Sequence, residues 1–202
     1  MTRIIAGGAG GRRLAVPSGR STRPTSDRTR EGLFSSLVAM FGSFDGLTVL
    51  DLYAGSGALG LEALSRGAAD VLLVESDAGA AQVIKRNIEV VGLPGVRVVR
   101  DRVDRALRRG PGEASPRRQL VFADPPYSLP DEELTAMLAE LAEGGWLAGD
   151  ALVIIERDAR SAAPSWPPGF AEDRSRRYGE TVLWYGRASG DTPAAAADTT
   201  GA

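Results

Sequence analysis

The chain has 202 residues, of which 43% are hydrophobic and 25% charged, as in a typical single globular domain. It contains no cysteine and no histidine. This excludes disulfides, thiolate metal sites, cysteine nucleophiles and histidine general bases, and with them Ser-His-Asp hydrolysis and zinc-dependent deamination. No apolar run approaches the ~18 residues that a membrane span requires. Any catalysis must therefore use carboxylates, hydroxyls, amides or the backbone.

The net charge of −2 hides an uneven distribution. Residues 1–30 contain seven arginines and one acid, Asp27, so this arm carries +6 and the remainder −8. A basic arm on an acidic body is typical of nucleic-acid binding. An organelle transit peptide is the alternative, but the glycines and Pro17 in this stretch disfavour the amphipathic helix that it would need. The arginines that we predict to contact nucleic acid are Arg3, Arg12, Arg13, Arg23, Arg28 and Arg30.

The remaining elements follow in chain order. Residues 3–6 and 13–16 flank glycines and predict a hairpin. A turn at 22–27 leads to a helix N-cap at Ser26, and apolar residues at helical spacing predict a helix that ends at Gly42. We then predict strands at 47–50, 71–74, 96–99, 120–123 and 152–155, helices at 57–66, 78–91, around 106–107 and at 131–142, and a closing hairpin at 174–178 and 181–185.

Strands that alternate with helices predict an α/β fold with a doubly wound, mostly parallel sheet. With the closing hairpin the sheet has seven strands, and the N-terminal hairpin is an extension to it. We expect three regions: a basic hairpin and turn at 1–24, the main domain at 25–187 and a disordered tail at 188–202, which is rich in alanine and threonine.

A glycine-rich loop follows the first strand of the sheet. Residues 55–60 satisfy G-x-G-x-x-G, and Glu75 lies twenty residues after Gly55, at the end of the second strand. Glycines allow a ligand to approach the backbone, and a carboxylate at the strand end can accept hydrogen bonds from ribose hydroxyls. The motif predicts an adenosine-bearing ligand, and it does not by itself separate NAD from S-adenosylmethionine.

Asp51, at the point where the strand enters this loop, favours S-adenosylmethionine. Its carboxylate would repel the pyrophosphate of NAD but suits the ammonium and sulfonium groups of S-adenosylmethionine. The alternative is that Asp51 only caps the turn. Asp101, after the third strand, could accept a hydrogen bond from the adenine amino group, or it too could be a turn or cap residue. The predicted cofactor contacts are Asp51, Ala54, Gly55, Ser56, Gly57, Glu75, Ser76, Asp101 and Arg102.

The tetrapeptide Asp124-Pro125-Pro126-Tyr127 follows the fourth strand directly. An exocyclic base amine is a weak nucleophile, because its lone pair is delocalised into the ring. The Asp124 carboxylate and the Pro125 carbonyl could accept its two N–H groups, while the prolines fix the carbonyl rigidly. Tyr127 offers a face for an extruded base. Asp124 either takes the departing proton or leaves it to solvent after transfer. We predict these four residues as the catalytic site of an amino-group methyltransferase that needs no metal.

Together these motifs resemble the bacterial 16S ribosomal RNA guanine-N2 methyltransferase family that modifies guanine 966. The resemblance runs through residues 3–7, 22–34, 51–57, 124–127 and 178–183. It implies the class I S-adenosylmethionine-dependent methyltransferase fold and guanine N2 as the target. It also implies that the assembled or partly assembled small subunit is the substrate, and that the enzyme is a cytoplasmic monomer that binds RNA. Family members often have a more lysine-rich surface and lack this C-terminal tail.

Three other functions stay open on sequence grounds. Asp-Pro-Pro-Tyr also suits a DNA adenine-N6 or cytosine-N4 methyltransferase, although 202 residues leave little room for a separate target-recognition region. An NAD-dependent oxidoreductase would satisfy the glycine motif, but Asp51 and the lack of a histidine proton donor oppose it. A non-catalytic RNA-binding module would explain the basic arm and leave the two motifs unexplained.

Overall fold

The structure, a computed structural model, describes residues 2–17 and 27–189, the side chain of Asp27 excepted. Nine strands and five helices lie in these ranges. The strands are β1 (Thr2–Arg3), β2 (Arg13–Leu14), β3 (Thr48–Leu52), β4 (Asp70–Glu75), β5 (Val96–Arg100), β6 (Arg118–Ala123), β7 (Leu147–Asp158), β8 (Phe170–Tyr178) and β9 (Thr181–Ala188). The helices are α1 (Asp27–Phe41), α2 (Ala58–Ser65), α3 (Ala78–Val91), α4 (Val103–Arg109) and α5 (Asp131–Glu143).

The main sheet has seven strands in the order β5-β4-β3-β6-β7-β9-β8. The first five are parallel, and β9 pairs antiparallel with both β7 and β8. Strand order reverses between β3 and β6, because the chain runs outward to β5 and then returns to the other side of β3. In open α/β sheets, ligands bind outside the carboxyl ends of the strands at such a switch point.

Alternate residues of the central strands pack on opposite faces of the sheet, as the two-residue period of a strand requires. On β3, Val49 belongs to a core shared with α1 and α2, where Phe34 and Leu61 are fully buried. Leu50 and Leu52 belong to the other core, which includes α4 and α5. A parallel sheet covered on both faces buries a continuous apolar run, and that burial is its main source of stability.

Local chemistry sets the ends of the helices. Asp77 caps α3, since its side chain accepts a hydrogen bond from the Ala80 N–H at 2.7 Å. Gly92 ends the same helix in the left-handed region at φ 60°. Gly42 ends α1, as predicted, at φ 74° with its N–H donating to the Val38 carbonyl.

The N-terminal hairpin of β1 and β2 forms a separate two-stranded sheet that docks on α2 and α3. The buried Glu62 carboxylate accepts hydrogen bonds from the Ile5 N–H at 2.6 Å and the Ala6 N–H at 3.1 Å. The Ser65 hydroxyl accepts from the Ala9 N–H at 2.9 Å. These bonds satisfy backbone groups that the two short strands leave unpaired, so the hairpin is held by the main domain.

The predicted fold class and N-terminal hairpin are confirmed, and most elements lie within two or three residues of their predicted ends. The largest difference is β7, which has 12 residues where four were predicted, because pairing with β9 continues as far as Asp158 and Thr181. The strands β1 and β2 are two residues each. Strand β9 reaches Ala188, the first residue of the predicted tail. The turn at 22–26, its cap Ser26 and residues 190–202 lie outside the described residues.

Candidate active site

A cleft of about 650 Å³ opens at the carboxyl ends of β3 and β6, at the switch point of the sheet. The register pairs Leu52 with Ala123, so the loops that follow these two residues start side by side. The Asp124 N–H donates to the Leu52 carbonyl at 3.4 Å. The fold therefore brings the glycine-rich loop and the Asp-Pro-Pro-Tyr tetrapeptide to one cleft, although Gly55 and Asp124 are 69 residues apart in sequence.

All four residues of the tetrapeptide line this cleft. Pro125 and Pro126 have no N–H, so they cannot compete with a ligand for the nearby acceptors. The Pro126 carbonyl accepts a hydrogen bond from the Leu129 N–H at 2.9 Å, which closes a turn behind the motif. The Tyr127 side chain is 59% exposed, unusually high for a large aromatic residue, and its ring is accessible for stacking.

The glycine-rich loop is held in a conformation that side chains rarely adopt. Tyr53, Gly55 and Gly57 all have positive φ, at 59°, 58° and 77°. A Cβ at Gly57 would lie 3.3 Å from the Leu73 side chain, so glycine serves there for space as well as for its φ. Helix α2 begins directly afterwards at Ala58, three residues beyond Gly55, which lines the cleft.

Glu75 joins this loop to the next strand. Its side chain is buried at the carboxyl end of β4 and lines the cleft. One carboxylate oxygen accepts from the Gly55 N–H at 2.8 Å and the other from the Asp77 N–H at 2.8 Å. A carboxylate oxygen can accept more than one hydrogen bond, so these contacts orient Glu75 and are compatible with a ligand hydroxyl.

Of the nine predicted cofactor residues, four line the cleft: Gly55, Glu75, Ser76 and Arg102. Ala54, Ser56 and Gly57 lie in the same loop without lining it. Asp101 lies at the end of β5, where its carboxylate accepts from the Arg109 side chain and the Arg102 N–H. The hydrogen bond from Arg109 is the main cause of the lowered pKa of Asp101.

Asp51 lies beneath the loop. Its side chain is 2% exposed, and its carboxylate accepts from the Gly60 N–H at 2.9 Å in the first turn of α2. Burial raises the pKa of Asp51 to about 7, and the negative charge of Glu75 adds to the shift. These contacts fit the alternative that Asp51 caps the turn, and its role as a cofactor contact stays a prediction.

The residues that line the cleft fit S-adenosylmethionine. The volume of the cleft lies within the usual range for small-molecule sites, and the glycine-rich loop leaves backbone accessible along one wall. The carboxylate of Glu75, which lines the cleft, can accept hydrogen bonds from the hydroxyls of a ribose. We expect Gly55, Glu75, Ser76 and Arg102 to hold the cofactor.

Several cleft residues escaped the sequence prediction. Tyr53 has its hydroxyl 3.8 Å from the Met137 sulfur, and burial raises its pKa to about 12. Glu156, on β7, is 8% exposed and lines the cleft close to the tetrapeptide. Glu133 and Glu140 reach the cleft from α5. Tyr53 could have been found from its place between Asp51 and the glycines, whereas the others depend on how the strands and helices pair.

The arginines of the predicted nucleic-acid arm occupy different environments. Arg3, Arg13 and Arg28 are exposed, and Arg23 lies outside the described residues. The Arg12 side chain donates to the Val90 and Val91 carbonyls at the C-terminus of α3. The last of the six, Arg30, is 1% exposed and donates to the Thr2 hydroxyl and the Arg3 carbonyl, which ties α1 to the hairpin.

Across residues 2–17 and 27–189, no helix is long and apolar enough to cross a membrane. Within the same ranges no group of three or more acidic side chains could hold a metal ion.

Comparison with known proteins identifies the family. The family model described as "Conserved hypothetical protein 95" matches residues 2–187. "Ribosomal RNA small subunit methyltransferase D" of Escherichia coli strain K12 is 36% identical over 194 residues, which cover 95% of this chain and 93% of that protein. The chain belongs to the family that this model describes, as its relatedness to the Escherichia coli methyltransferase also indicates. "Putative rRNA methyltransferase YlbH" of Bacillus subtilis strain 168, also 36% identical, is matched over 89% of this chain and 95% of its own length.

A solved structure supports the same assignment. "Putative methyltransferase yhhF from Escherichia coli" superimposes with a TM-score of 0.79 at 34% identity, covering 94% of this chain and 99% of that one. The resemblance drawn from the sequence motifs to this methyltransferase family is therefore confirmed, as is the methyltransferase fold. The individual roles of the site residues stay predictions.

Proposed function

We propose that this protein transfers a methyl group from S-adenosylmethionine to the exocyclic N2 of a guanine in 16S ribosomal RNA. The observation that carries the proposal is the convergence of Asp124-Pro125-Pro126-Tyr127 with the glycine-rich loop and Glu75 in one cleft. The names of its relatives, which refer to ribosomal RNA and to the small subunit, support the substrate class.

S-adenosylmethionine supplies a methyl group on a positively charged sulfur, which a correctly oriented amine nitrogen can attack in line. The protein has to orient that nitrogen. The Asp124 carboxylate and the Pro125 carbonyl accept the two N–H groups of the amine, so that its lone pair points along the line of attack. Positioning of this kind contributes most of the acceleration in a displacement that needs no covalent intermediate. Asp124 can also take the proton that the methylated nitrogen loses, with release to solvent as the alternative.

A base inside folded RNA has to leave its stack before it can enter this cleft. Tyr127, exposed at the rim, provides an aromatic face for the extruded base and so offsets part of the cost of unstacking. The exposed Arg3, Arg13 and Arg28 lie on the basic arm and its neighbouring helix, and we assign them to the RNA phosphates. The arm then holds the RNA while the cleft holds one base.

The proposed substrate is the small ribosomal subunit or an assembly intermediate, acted on by a monomer in the cytoplasm. The test is a methylation assay with labelled S-adenosylmethionine on small subunits that lack the modification, followed by digestion of the RNA and identification of the nucleoside. We expect N2-methylguanosine in the wild-type reaction. We also expect a loss of ~10²–10⁴-fold in rate for Asp124→Ala, the usual contribution of a positioned acid–base group.

Other results would contradict the proposal. N6-methyladenosine or N4-methylcytidine as the product would exclude guanine N2. Transfer to DNA but not to subunits would favour the DNA methyltransferase alternative. Calorimetry with NADH and S-adenosylmethionine separates the cofactors, and preference for NADH would contradict the proposed chemistry.

A further inference from the structure

A buried carboxylate faces the same cleft as the tetrapeptide and has no part in the mechanism above. Glu156 is 8% exposed and lies on β7, next to the strand that carries Asp124. Ala123, the last residue of β6, and Ile155 on β7 are partners in the parallel register, so the next residues along the two segments are Asp124 and Glu156. Neighbouring strands are ~4.8 Å apart, so the backbones of Asp124 and Glu156 lie side by side, and both residues line the cleft.

Because Glu156 is buried in the wall of the cleft, its carboxyl group has a large effect on what can bind beside it. An ionised carboxylate only accepts hydrogen bonds, and a donor must face it where water is excluded. A ligand group with a lone pair pointing at Glu156 would be repelled and would also lose its hydration. Glu156 therefore discriminates between ligands by whether they offer an N–H or a lone pair at this point.

The three bases with an exocyclic amine differ at the neighbouring ring nitrogen. Adenine N1 and cytosine N3 carry a lone pair beside the amine, whereas guanine N1 carries a hydrogen. Guanine N2 is flanked by N1–H on one side and by the N3 lone pair on the other, so a carboxylate beside the amine favours the orientation in which N1–H faces it, whereas adenine and cytosine have no N–H at either flanking position. A carboxylate there accepts from guanine and repels the other two bases.

We propose that Glu156 accepts a hydrogen bond from N1–H of the target base and thereby restricts methylation to guanine. This inference rests on the proposed function, because it requires an amino group held at the tetrapeptide. It assigns a specificity role to a residue outside both motifs. It also gives a physical reason for guanine selection, which Asp-Pro-Pro-Tyr alone does not supply.

The test replaces the target guanine, located by the methylation assay, with 2-aminopurine in ligated 16S ribosomal RNA assembled into small subunits. 2-Aminopurine keeps the exocyclic N2 amine but has a lone pair at N1, and it has a hydrogen in place of O6. For the wild-type enzyme we expect kcat/KM to fall by roughly 10- to 150-fold, the value of a hydrogen bond to a charged group. In Glu156→Gln the new amide can donate to that lone pair, so the preference for guanine should shrink at least tenfold.

Glu132→Gln is the matched control, because it removes the same charge from an exposed residue of α5 that does not line the cleft. It should keep the wild-type ratio of the two substrates. A purely structural role for Glu156 would lower both rates equally and leave the ratio unchanged. That result, or equal wild-type rates on guanine and 2-aminopurine, would overturn the inference.

Equal wild-type rates on guanine and 2-aminopurine would overturn the inference even if Glu156→Gln folds poorly, and the change of the ratio in Glu156→Gln assigns the discrimination to N1. The two proposals also fail differently. A product other than N2-methylguanosine in unsubstituted subunits contradicts the proposed function. N2-methylguanosine formed with no discrimination against 2-aminopurine contradicts only the role of Glu156.

Discussion

Asp51 gives the clearest link between a buried charge and the stability of the fold. Its pKa rises from 3.8 to about 7 on folding, chiefly because burial disfavours the carboxylate. Between these two pKa values the folded state therefore keeps a proton that the unfolded chain releases. The contribution of Asp51 to the free energy of unfolding is fully present below pH 4 and is lost as the pH rises toward 7. Each pH unit between the two pKa values corresponds to about 1.4 kcal/mol, so the full loss is about 4 kcal/mol above pH 7.

Asp51→Asn should remove this pH dependence and keep the cap, since the amide oxygen can still accept from the Gly60 N–H. From the same two pKa values, the variant should gain about 2–3 kcal/mol in free energy of unfolding over the wild type between pH 5 and pH 8.5. Urea unfolding of both proteins across this range measures the gain. Asp150→Asn, at an exposed aspartate, is the control and should show no such trend.

A difference between Asp51→Asn and the wild type that stays constant from pH 5 to pH 8.5 would refute this reasoning. The same variant also tests the cofactor role predicted from the sequence. If Asp51 holds the ammonium of S-adenosylmethionine, its replacement by a neutral amide should weaken binding of the cofactor. If calorimetry shows that Asp51→Asn binds S-adenosylmethionine as tightly as the wild type, Asp51 only caps α2 and does not contact the cofactor.

Three further predictions concern the scaffold. Glu62→Gln weakens the acceptor that holds the hairpin and should cost about 1–3 kcal/mol in urea unfolding, whereas wild-type stability would argue against this docking. Asn87→Ala removes the amide that donates to the Ser56 carbonyl at 2.9 Å, so calorimetry should show roughly tenfold weaker S-adenosylmethionine binding, and equal affinity would contradict this. Gly186→Ala would place a Cβ 2.3 Å from the Trp166 ring. This overlap should cost about 1–3 kcal/mol of stability and lower the melting temperature by several degrees. An unchanged melting temperature would show that the ring can move.

The sequence was sufficient to predict the cleft, because parallel strands bring their carboxyl ends to one edge of the sheet. Gly55, Glu75 and Asp124 each follow a strand that an apolar run identified, and all three line the cleft. The same reasoning predicted the sheet class, since the strand and helix patterns alternate. The features of the fold and the cleft that could be predicted are thus those that depend on chain order and on hydrophobic pattern.

The remainder depends on pairing between distant segments. Glu156 ends an apolar run, and only its register beside β6 places it next to Asp124. Asp51 points toward α2, which a carboxylate at a strand end does not reveal. Arg30 counts as a basic residue in sequence, yet docking of the hairpin buries it. In each case the environment of the side chain is set by an element far away in the chain.

The hairpin and the cofactor loop share one support. Asn87, on α3, accepts from the Ala15 N–H at 2.8 Å and donates to the carbonyls of both Ala15 and Ser56 at 2.9 Å. The segment that carries the basic arm is thereby tied to the loop that is expected to hold the methyl donor. Without histidine or cysteine, the proposed reaction depends on relative positions more than on proton transfer. We therefore expect a scaffold that fixes arm and loop together to contribute to the rate.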